Sequence, residues 1–422
     1  MKKLAINGGK KLRNQIFPKY PIITRSEENA VLQVLRSGNL STFVASPGKN
    51  FLGGVKIQIF EKNFAKFLGV KFAVAFNSAT SALHAAVVSV GVKPEDEVIV
   101  PPYTFTSTAT SVLMHNAVPV FSDVDKNTYC INPNELEKVK TNRTRAIIPV
   151  HLFGNSCDMD KIMKFARKNN LYVIEDCAQS PGGEYKNKKL GSIGDCGIFS
   201  FQETKNMMTG EGGMLVTNNE KIANIARMVR NHGEVISFNS NKRNYRPEIL
   251  GWGYRMTELE AAIGIVQLKK LNQMNNTRIK LSEYLAKKIN TIDGLKHHVS
   301  NNVKHVYYVF AFSFDQEKIG INRNIFCEAI RAEGIPMFEG YVKPLYLNPL
   351  YEKKLAYVFK NYKGKVKYEK GICPIAEDLH FNKLILTPVC RPPATKHDMD
   401  DIFNSILKVI KNKDELKTFT SF

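Results

Sequence analysis

The sequence has 422 residues, of which 43% are hydrophobic and 23% are charged, and its formal net charge is +21. These values are ordinary for a globular protein of one or two domains and exclude a collagen-like or disordered chain. No segment offers the roughly 20 apolar residues of a membrane-spanning helix, and the opening "MKKLAINGGKK" lacks the apolar core of a signal peptide. We therefore expect neither a signal peptide nor a membrane partner.

The excess of 60 Lys and Arg over 39 Asp and Glu raises the question of a nucleic-acid partner. The basic residues are spread along the chain without a block of five or six. We therefore expect solvated surface charge, or attraction of an anionic small substrate, and no nucleic-acid binding. The seven cysteines include no CxxC pair, and their odd number argues against a closed disulfide framework. They predict free thiols in the cytoplasm and no metal centre.

The first 25 residues, rich in Lys, Arg and Pro, predict an extended arm. A helical pattern runs from Ser26 to Gly38, a Gly- and Ser-rich loop covers 39–55, and a second helix ends at Gly69. Strands and helices then alternate, which predicts an α/β fold with a largely parallel sheet covered by helices. The strands are expected at 72–76, 96–101, 118–124, 145–154, 171–176, 197–201 and from 214, and the helices at 81–91, 104–116, 133–140 and 158–169.

A long helical pattern over 257–290 leads to a smaller C-terminal α/β region over about 295–422. The apolar run "VYYVFAF" near 306–312 predicts a buried strand in it. The chain is thus divided into an arm (1–25), a large cofactor-binding domain (26–270) and a small domain (271–422).

Three strand ends carry residues suited to chemistry, and ligands of open α/β sheets bind beyond the carboxyl ends of the strands. Asp176 ends one strand, Gln179 follows it, and Lys205 lies just past another. The segment "NSATS" (77–81) lies between a strand and a helix, where free backbone N–H groups favour an anion. Ser78, Ala79 and Thr80 could therefore hold a phosphate, although an ordinary helix cap has the same sequence.

The glycines at 210, 212 and 213 follow Lys205, whereas a phosphate-binding GxxxxGK[ST] loop has its glycines before the lysine. They predict a tight turn that re-enters the sheet. A lysine near a buried aspartate and a phosphate cradle indicates pyridoxal phosphate, with Lys205 forming a Schiff base and Asp176 pairing with the pyridine nitrogen. Gln179 could bond the ring hydroxyl. Tyr103 or Phe105 could stack on the ring, unless both are core aromatics.

The order of several motifs resembles the DegT/DnrJ/EryC1/StrS family of sugar aminotransferases, a branch of the fold-type I pyridoxal-phosphate enzymes. The stretches that carry the resemblance are "NSATSALHAA", "GVKPEDEVIVPPYTFTSTAT", "AVPVFSDVD", "RAIIPVHLFGNSCDMD", "YVIEDCAQSPGGEYKNKKLGSIGDCGIFSF", "TKNMMTGEGGMLVTNN", "RNHG" and "GYRMTELEAAIGIVQL". The resemblance implies a fold-type I large domain with a mostly parallel seven-stranded sheet, a smaller C-terminal α/β domain, and a homodimer with shared active sites.

The resemblance also implies a role for each matching residue. Lys205 would carry the cofactor and move the proton, and a lysine at this position argues for transamination, since relatives that dehydrate sugars have His there. The cofactor would be held by Ser78, Ala79, Thr80 and Ser200 at the phosphate, Phe105 on the ring face, Asp176 at the ring nitrogen and Gln179 at the ring hydroxyl.

The chain departs from the family pattern in three places. Many members have His where Gln202 stands, and a Gln at this position resembles the branch that aminates keto-inositols for aminoglycosides. Gly253 stands where many members have an Asn that contacts the partner subunit's phosphate. The 39–55 loop is longer than in many nucleotide-sugar enzymes, and it could shape a substrate pocket.

The sequence thus predicts an aminotransferase that moves an amino group from glutamate or glutamine to a keto-sugar, nucleotide-linked, in glycan or secondary-metabolite biosynthesis. Alternatives are a keto-cyclitol or small phosphorylated ketone as acceptor, or a non-catalytic pyridoxal-phosphate-binding regulator, for which no helix-turn-helix segment is found. Substrate contacts are expected from Gln202, His232, Tyr341 and Lys343, although structural roles in loops are an alternative for the last three.

Overall fold

The computed structural model describes residues 3–46, 48–235, 245–298 and 300–416. Pro47 of the predicted 39–55 loop, residues 1–2 of the predicted arm and residues 417–422 of the predicted small domain lie outside the described residues. Among the described helices, none combines the length and the apolar character needed to cross a membrane.

Helices and strands alternate through the first half of the chain, as the sequence pattern predicts. The helices are α1 (Arg25–Ser37), α2 (Val55–Leu68), α3 (Ala79–Ser89), α4 (Ser107–Met114), α5 (Leu136–Val139), α6 (Met159–Lys168), α7 (Glu220–Arg230), α8 (Glu258–Ile289), α9 (Gln316–Ile319), α10 (Arg323–Ala332), α11 (Pro349–Glu352), α12 (Pro374–Asp378) and α13 (Lys396–Lys411). The strands are β1 (Phe72–Phe76), β2 (Glu97–Val100), β3 (Val118–Phe121), β4 (Thr144–Ile147), β5 (Tyr172–Asp176), β6 (Glu184–Tyr185), β7 (Lys188–Lys189), β8 (Cys196–Ser200), β9 (Gly213–Thr217), β10 (Leu295–Lys296), β11 (Val303–Lys304), β12 (Phe310–Phe314), β13 (Phe338–Glu339) and β14 (Leu384–Thr387).

The main sheet has seven strands in the order β1-β9-β8-β5-β4-β2-β3. Strand β9 runs antiparallel to both of its neighbours, and the other pairs in the sheet are parallel. The predicted mostly parallel seven-stranded sheet is confirmed. Because β5 and β8 are parallel neighbours, their carboxyl ends place Asp176 and Ser200 at one edge of the sheet.

The strands of the main sheet are almost continuously apolar, which is typical of a sheet covered on both faces. Helices α2, α3 and α7 pack close to β1 and β9. Their buried side chains join those of the sheet in one core, with Phe60, Phe64, Phe199 and Phe201 in edge-on or tilted ring contacts. This core fixes the strand ends at which the predicted site residues lie.

The C-terminal region contains a four-stranded antiparallel sheet in the order β10-β12-β14-β13. Its apolar face forms a second buried cluster with α10 and α13. Helix α8 runs without interruption from Glu258 to Ile289. The predicted boundary after residue 270 therefore falls inside one helix, and the division into domains stays a prediction.

Two predicted strands are wrong in extent. Strand β4 ends at Ile147. The chain then turns at Phe153, which adopts a left-handed backbone (φ 60°) inside a single helical turn and donates its N–H to the Gln179 side-chain oxygen. Strand β12 begins only at Phe310. Residues 306–308 instead bond to the 153–154 turn, through the N–H groups of Val306 and Tyr308.

The predicted arm packs along the C-terminal region. Leu4 is fully buried in the second cluster. The guanidinium of Arg13 forms ion pairs with Asp398 and Asp401 at 2.7 and 2.6 Å, and its side chain is only 4% exposed. The arm is thus anchored to α13 before the chain reaches the main sheet.

Candidate active site

A cavity of about 440 Å³ lies at the carboxyl edge of the main sheet. Its lining contains ten of the predicted site residues: Ser78, Ala79, Thr80, Phe105, Asp176, Gln179, Ser200, Gln202, Lys205 and Tyr341. These residues come from segments that are far apart in the sequence. The parallel strands bring them together, because their carboxyl ends share one edge.

Lys205 follows β8 in a turn closed by its own N–H, which donates to the Gln202 carbonyl at 2.9 Å. Its ammonium nitrogen lies 4.4 Å from the ring centre of Tyr308. Its carbonyl accepts a hydrogen bond from the hydroxyl of Tyr20. The lysine is thus fixed at both its backbone and its amine, the second by a cation–π contact.

Asp176 is buried at the end of β5. Burial raises the pKa of its carboxyl above the ordinary value, and the Ala178 N–H, the Thr108 hydroxyl and the charge of Lys205 oppose this rise. The two hydrogen bonds measure 3.1 and 2.9 Å. A carboxylate held in this way favours a cationic partner in the cavity.

Gln179 joins two segments at the cavity wall. Its side-chain oxygen accepts the N–H of Phe153 at 2.7 Å, and its side-chain nitrogen donates to the hydroxyl of Tyr341 at 2.9 Å. Tyr341 in turn donates its backbone N–H to the hydroxyl of Tyr103 at 2.8 Å. Tyr103 is therefore a buried core residue, whereas Phe105 is 58% exposed on the cavity wall.

Ser78 caps α3, and its hydroxyl accepts the N–H of Ser81 at 3.1 Å. The ordinary cap and the anion cradle are thus the same structure, since the next N–H groups of the first turn have no carbonyl partner within the helix. Gly213 runs directly alongside. A Cβ on Gly213 would lie 2.3 Å from the Ser78 carbonyl oxygen and 2.6 Å from the Ala79 nitrogen. Of the glycines after Lys205, Gly213 therefore leaves room for the backbone of the cradle.

Gln202 lies at the cavity with its side-chain oxygen engaged by the N–H and hydroxyl of Thr204, at 2.9 and 2.6 Å. The amide nitrogen of Gln202 is left as the group that can donate into the cavity.

His232 and Lys343 are exposed and are not among the residues that line the cavity. His232 lies against Gly253. Lys343 lies near His380, whose pKa is lowered mainly by burial and further by the charges of Arg323 and Lys343. The described part of the 39–55 loop likewise does not line the cavity.

The sequence patterns missed Tyr20, Tyr308, Thr108 and Glu211. Glu211 and Tyr308 line the cavity, Thr108 bonds Asp176, and Tyr20 bonds the Lys205 backbone. The "GEGG" run contained Glu211, and "TSTAT" contained Thr108, but neither motif indicated a role for the side chain. Tyr20 and Tyr308 had no signal, because their contacts are made only in three dimensions.

His151, Glu175 and Cys177 form a buried group of possible metal ligands behind the cavity. His151 accepts the N–H of Cys157 at its Nδ1 atom, and its Nε2 atom lies 3.0 Å from Glu175. Glu175 also accepts the N–H groups of Gly191, Ile193 and Gly194. Because protein groups already bond His151 and Glu175, we interpret the group as a structural network.

The sheet order, the antiparallel β9 and the lysine beyond β8 define an α/β enzyme with the fold-type I aminotransferase architecture. The profile of the DegT/DnrJ/EryC1/StrS aminotransferase family matches residues 23–406. The chain belongs to this family of aminotransferases.

Three relatives and one solved structure illustrate the similarity. The chain is 35% identical to the spore coat polysaccharide biosynthesis protein SpsC of Bacillus subtilis, over 95% of this chain and 99% of that protein. It is 38% identical to the GDP-perosamine synthase of Caulobacter vibrioides, over 78% of this chain and 85% of that protein. The chain is 32% identical to a protein of Streptoalloteichus tenebrarius, over 98% of this chain and 99% of that protein. That protein is provisionally named as an L-glutamine:3-amino-2,3-dideoxy-scyllo-inosose aminotransferase. The structure of an aminotransferase from Psychrobacter cryohalolentis matches with a TM-score of 0.85 and 30% identity, over 94% of this chain and 99% of that one.

Proposed function

We propose that this aminotransferase binds pyridoxal phosphate in the 440 Å³ cavity and transfers an amino group from glutamate or glutamine to a keto-sugar. The observation that carries the proposal is the convergence of Lys205, Asp176, Gln179 and the start of α3 on one cavity. A lysine, a buried acid and an anion cradle on one cavity are the groups that this cofactor needs.

The residues present fit the cofactor. The α3 N-terminus offers free N–H groups, and Gly213 leaves the space beside them that a Cβ would fill. Asp176, with its raised pKa, is stabilised by a cation such as a protonated pyridine nitrogen. Phe105 offers an exposed aromatic face on the cavity wall. We therefore assign the phosphate to Ser78, Ala79, Thr80 and Ser200, and the ring to Phe105, Asp176 and Gln179.

When bound, pyridoxal phosphate withdraws electrons from the substrate carbon that carries nitrogen. Asp176 keeps the ring nitrogen protonated, which requires the carboxylate to be ionised. Lys205 holds the cofactor and then moves a proton on its Nζ atom, which the ring of Tyr308 positions. Tyr341, held by Gln179, borders the space left for a substrate.

The keto-sugar acceptor is supported by the relatives. One bears the name of a GDP-perosamine synthase and another that of a spore coat polysaccharide biosynthesis protein. By analogy we propose a nucleotide-linked keto-sugar and a role in glycan or secondary-metabolite biosynthesis. The net charge of +21 would attract such an anionic acceptor.

A keto-cyclitol is the second candidate acceptor. Gln202 favours it, because the side-chain amide nitrogen can donate a hydrogen bond to a neutral hydroxyl without adding charge. The relative with the inosose aminotransferase name adds support.

We further propose a homodimer in which each subunit completes the other's site. Helices α1 and α2 expose apolar side chains that a single subunit leaves in water, namely Leu32, Leu35, Val55 and Ile59. Such surfaces are typical of subunit contacts. All seven cysteines are buried and unpaired, which supports a location in the reducing cytoplasm.

The experiment that tests the function is a half-reaction screen. The protein is loaded with pyridoxamine phosphate, and keto-sugars, keto-cyclitols and small phosphorylated ketones are added one at a time. Restoration of the pyridoxal absorbance identifies the acceptor, and no response to any of them would contradict the proposed substrate class. Light scattering of the same sample tests the dimer.

A further inference from the structure

A lysine-rich segment over 352–370 forms part of the surface of the C-terminal region. It contains two glutamates, no arginine and seven lysines, namely Lys353, Lys354, Lys360, Lys363, Lys365, Lys367 and Lys370. All seven lysines are exposed, and none of them lines the candidate active site. Because other residues separate most of them, they form no continuous basic block in the sequence.

Residues 362–368 alternate between the core and the solvent, with the period of two of an extended chain. The even-numbered residues are buried or half-buried. Tyr368 anchors the stretch, because its hydroxyl donates to the buried Pro119 carbonyl at 2.7 Å. The odd-numbered residues are exposed, and three of them are Lys363, Lys365 and Lys367. These three lysines therefore share one outward face on a fixed backbone.

The preceding residues fold back onto this stretch. The Nζ atom of Lys354 donates to the Val366 carbonyl at 3.1 Å, and the rings of Phe359 and Tyr368 lie 5.7 Å apart. Lysines from both parts of the segment are thus neighbours in space. The fold also brings two apolar side chains to the same surface, since Leu355 and Tyr357 are each 64% exposed.

The positive charge of this surface is largely unbalanced. Within the part of the chain that the structure describes, Lys367 is the only one of the seven lysines with an ion pair, to the exposed Glu369 at 3.4 Å. The core carboxylates Glu97 and Glu377 are buried. They accept from the Tyr362 hydroxyl and the Gly371 N–H. The surface therefore suits a partner that carries many negative charges.

We propose that the 352–370 surface docks the protein on an anionic lipid bilayer. The lysines would meet the headgroup phosphates, and Leu355 and Tyr357 would enter the boundary between headgroups and acyl chains. Clustered lysines are attracted to a negatively charged bilayer, and stable anchoring needs a second, apolar contact. The expectation of no membrane partner considered only spanning segments and signal peptides, and this surface replaces it. The inference does not rest on the proposed function.

A nucleic acid fits this surface less well than a bilayer does. Lysine acts as a point charge, whereas the arginine fork that reads bases and grips phosphates is absent from the segment. Between Lys353 and Lys370 the only regular element is a single helical turn, Tyr357–Lys360, so no helix or strand is presented to a groove. Leu355 would also find no apolar partner along a phosphate backbone.

Flotation of the full-length protein with lipid vesicles tests the proposal. The protein should float with vesicles of equal parts phosphatidylcholine and phosphatidylglycerol, and it should stay in solution with phosphatidylcholine alone. Binding should weaken as salt is added, because exposed lysines are screened. The emission of Tyr357→Trp should shift to shorter wavelength with the anionic vesicles. The wild type, whose single tryptophan is Trp252, gives the baseline.

A triple variant tests the lysines. Lys363→Gln, Lys365→Gln and Lys367→Gln combined should weaken vesicle binding by about 30- to 100-fold, since each lysine near an anionic surface contributes about fivefold. The matched control removes the same charge from exposed positions on α6 and α7, through Lys164→Gln, Lys168→Gln and Lys221→Gln. This control should float like the wild type.

A double variant tests the apolar contact. Leu355→Ser with Tyr357→Ser should weaken binding by about tenfold or more, and the binding that remains should be more sensitive to salt. Ile16→Ser, at an 89% exposed position of the arm, is the control. Because all of these side chains are exposed, every variant should unfold at the wild-type temperature.

Equal flotation with neutral and anionic vesicles would overturn the proposal. Equal losses in the two triple variants would also overturn it, because net charge and not this surface would then be responsible. Binding of a single-stranded RNA through Lys363, Lys365 and Lys367, without vesicle binding, would assign the surface to nucleic acid instead. Failure of the proposed function would appear separately, as a wild type that responds to no acceptor in the half-reaction screen.

Discussion

The hydroxyl of Thr108 lies 2.9 Å from Asp176 Oδ2 and donates to it inside the core. This contact comes from the first turn of α4 and supports the ionised form of a carboxyl whose pKa burial raises. It links a helix that the sequence marked only as a helix to the acid that we propose faces the cofactor.

We expect Thr108→Val to raise the pKa of Asp176 further, because one hydrogen bond to the carboxylate is lost. Affinity for pyridoxal phosphate should fall by about 3- to 10-fold near neutral pH. The loss should grow as the pH is lowered, since the ionised acid is needed to pair with the ring. Fluorescence titration of the cofactor against pH checks this, with Thr110→Val on the same helix as control. Identical pH profiles would contradict the role of Thr108.

Gly213→Ala should disrupt the phosphate cradle. The added methyl group would lie 2.3 Å from the Ser78 carbonyl oxygen, so the backbone of the cradle must move. We expect a cost of about 1–3 kcal/mol in the free energy of unfolding and a large loss of cofactor affinity. Urea unfolding and cofactor titration measure the two effects. Gly253→Ala is the matched control, because its methyl group meets only the His232 ring, at 3.4 Å.

Gly253→Asn tests the shared site of the proposed dimer. The resemblance places an Asn here that reaches the partner subunit's phosphate, and the structure leaves space for the side chain. One added hydrogen bond to a charged phosphate should tighten cofactor binding by about fivefold or more. Gly253→Ala should give no gain. Unchanged affinity in a dimeric Gly253→Asn variant would argue against a contact across the subunits.

Lys205→Ala should abolish transamination and the absorbance of the Schiff base, because no other described lysine lines the cavity. Cofactor should still bind weakly through the cradle and Asp176. Absorbance spectra and reduction with borohydride followed by mass spectrometry locate the attachment. Lys188→Ala, in an exposed hairpin, is the control. Retained activity in Lys205→Ala would remove the central residue of the proposal.

Arg13→Gln should release the arm from α13. Both ion pairs of Arg13 involve poorly exposed side chains, so we expect a loss of about 2–4 kcal/mol in the free energy of unfolding at neutral pH. Burial tends to raise the pKa of Asp398, but hydrogen bonds from Thr395 and Arg13 hold it below its ordinary value of 3.8. The stabilisation is therefore present above about pH 4 and is lost as the pH falls through the lowered pKa.

Urea unfolding of the wild type and Arg13→Gln at pH 7 and pH 3 should show a difference that shrinks at the lower pH. Arg25→Gln, an exposed arginine at the start of α1, serves as control. If the difference is independent of pH, Asp398 is not the partner that matters.

The alternating pattern of strands and helices predicted the parallel sheet, because each element is readable from its own apolar period. The order of the motifs around Ser78, Asp176 and Lys205 then predicted the family, since each motif lies at the end of one strand. The insertion of β9 antiparallel between β1 and β8 could not be read in this way, because pairing partners leave no periodic mark on either strand.

The sequence by itself thus determined the fold class, the family and the residues at the strand ends, because these depend on local patterns. Only the tertiary structure decided that Tyr20 of the arm holds Lys205, 185 residues away, and that Arg278 and Arg391 meet on either side of that ring. Such contacts arise from long-range packing, and no spacing within the chain encodes them. Packing also left His232 and Lys343 away from the cavity lining of the single chain.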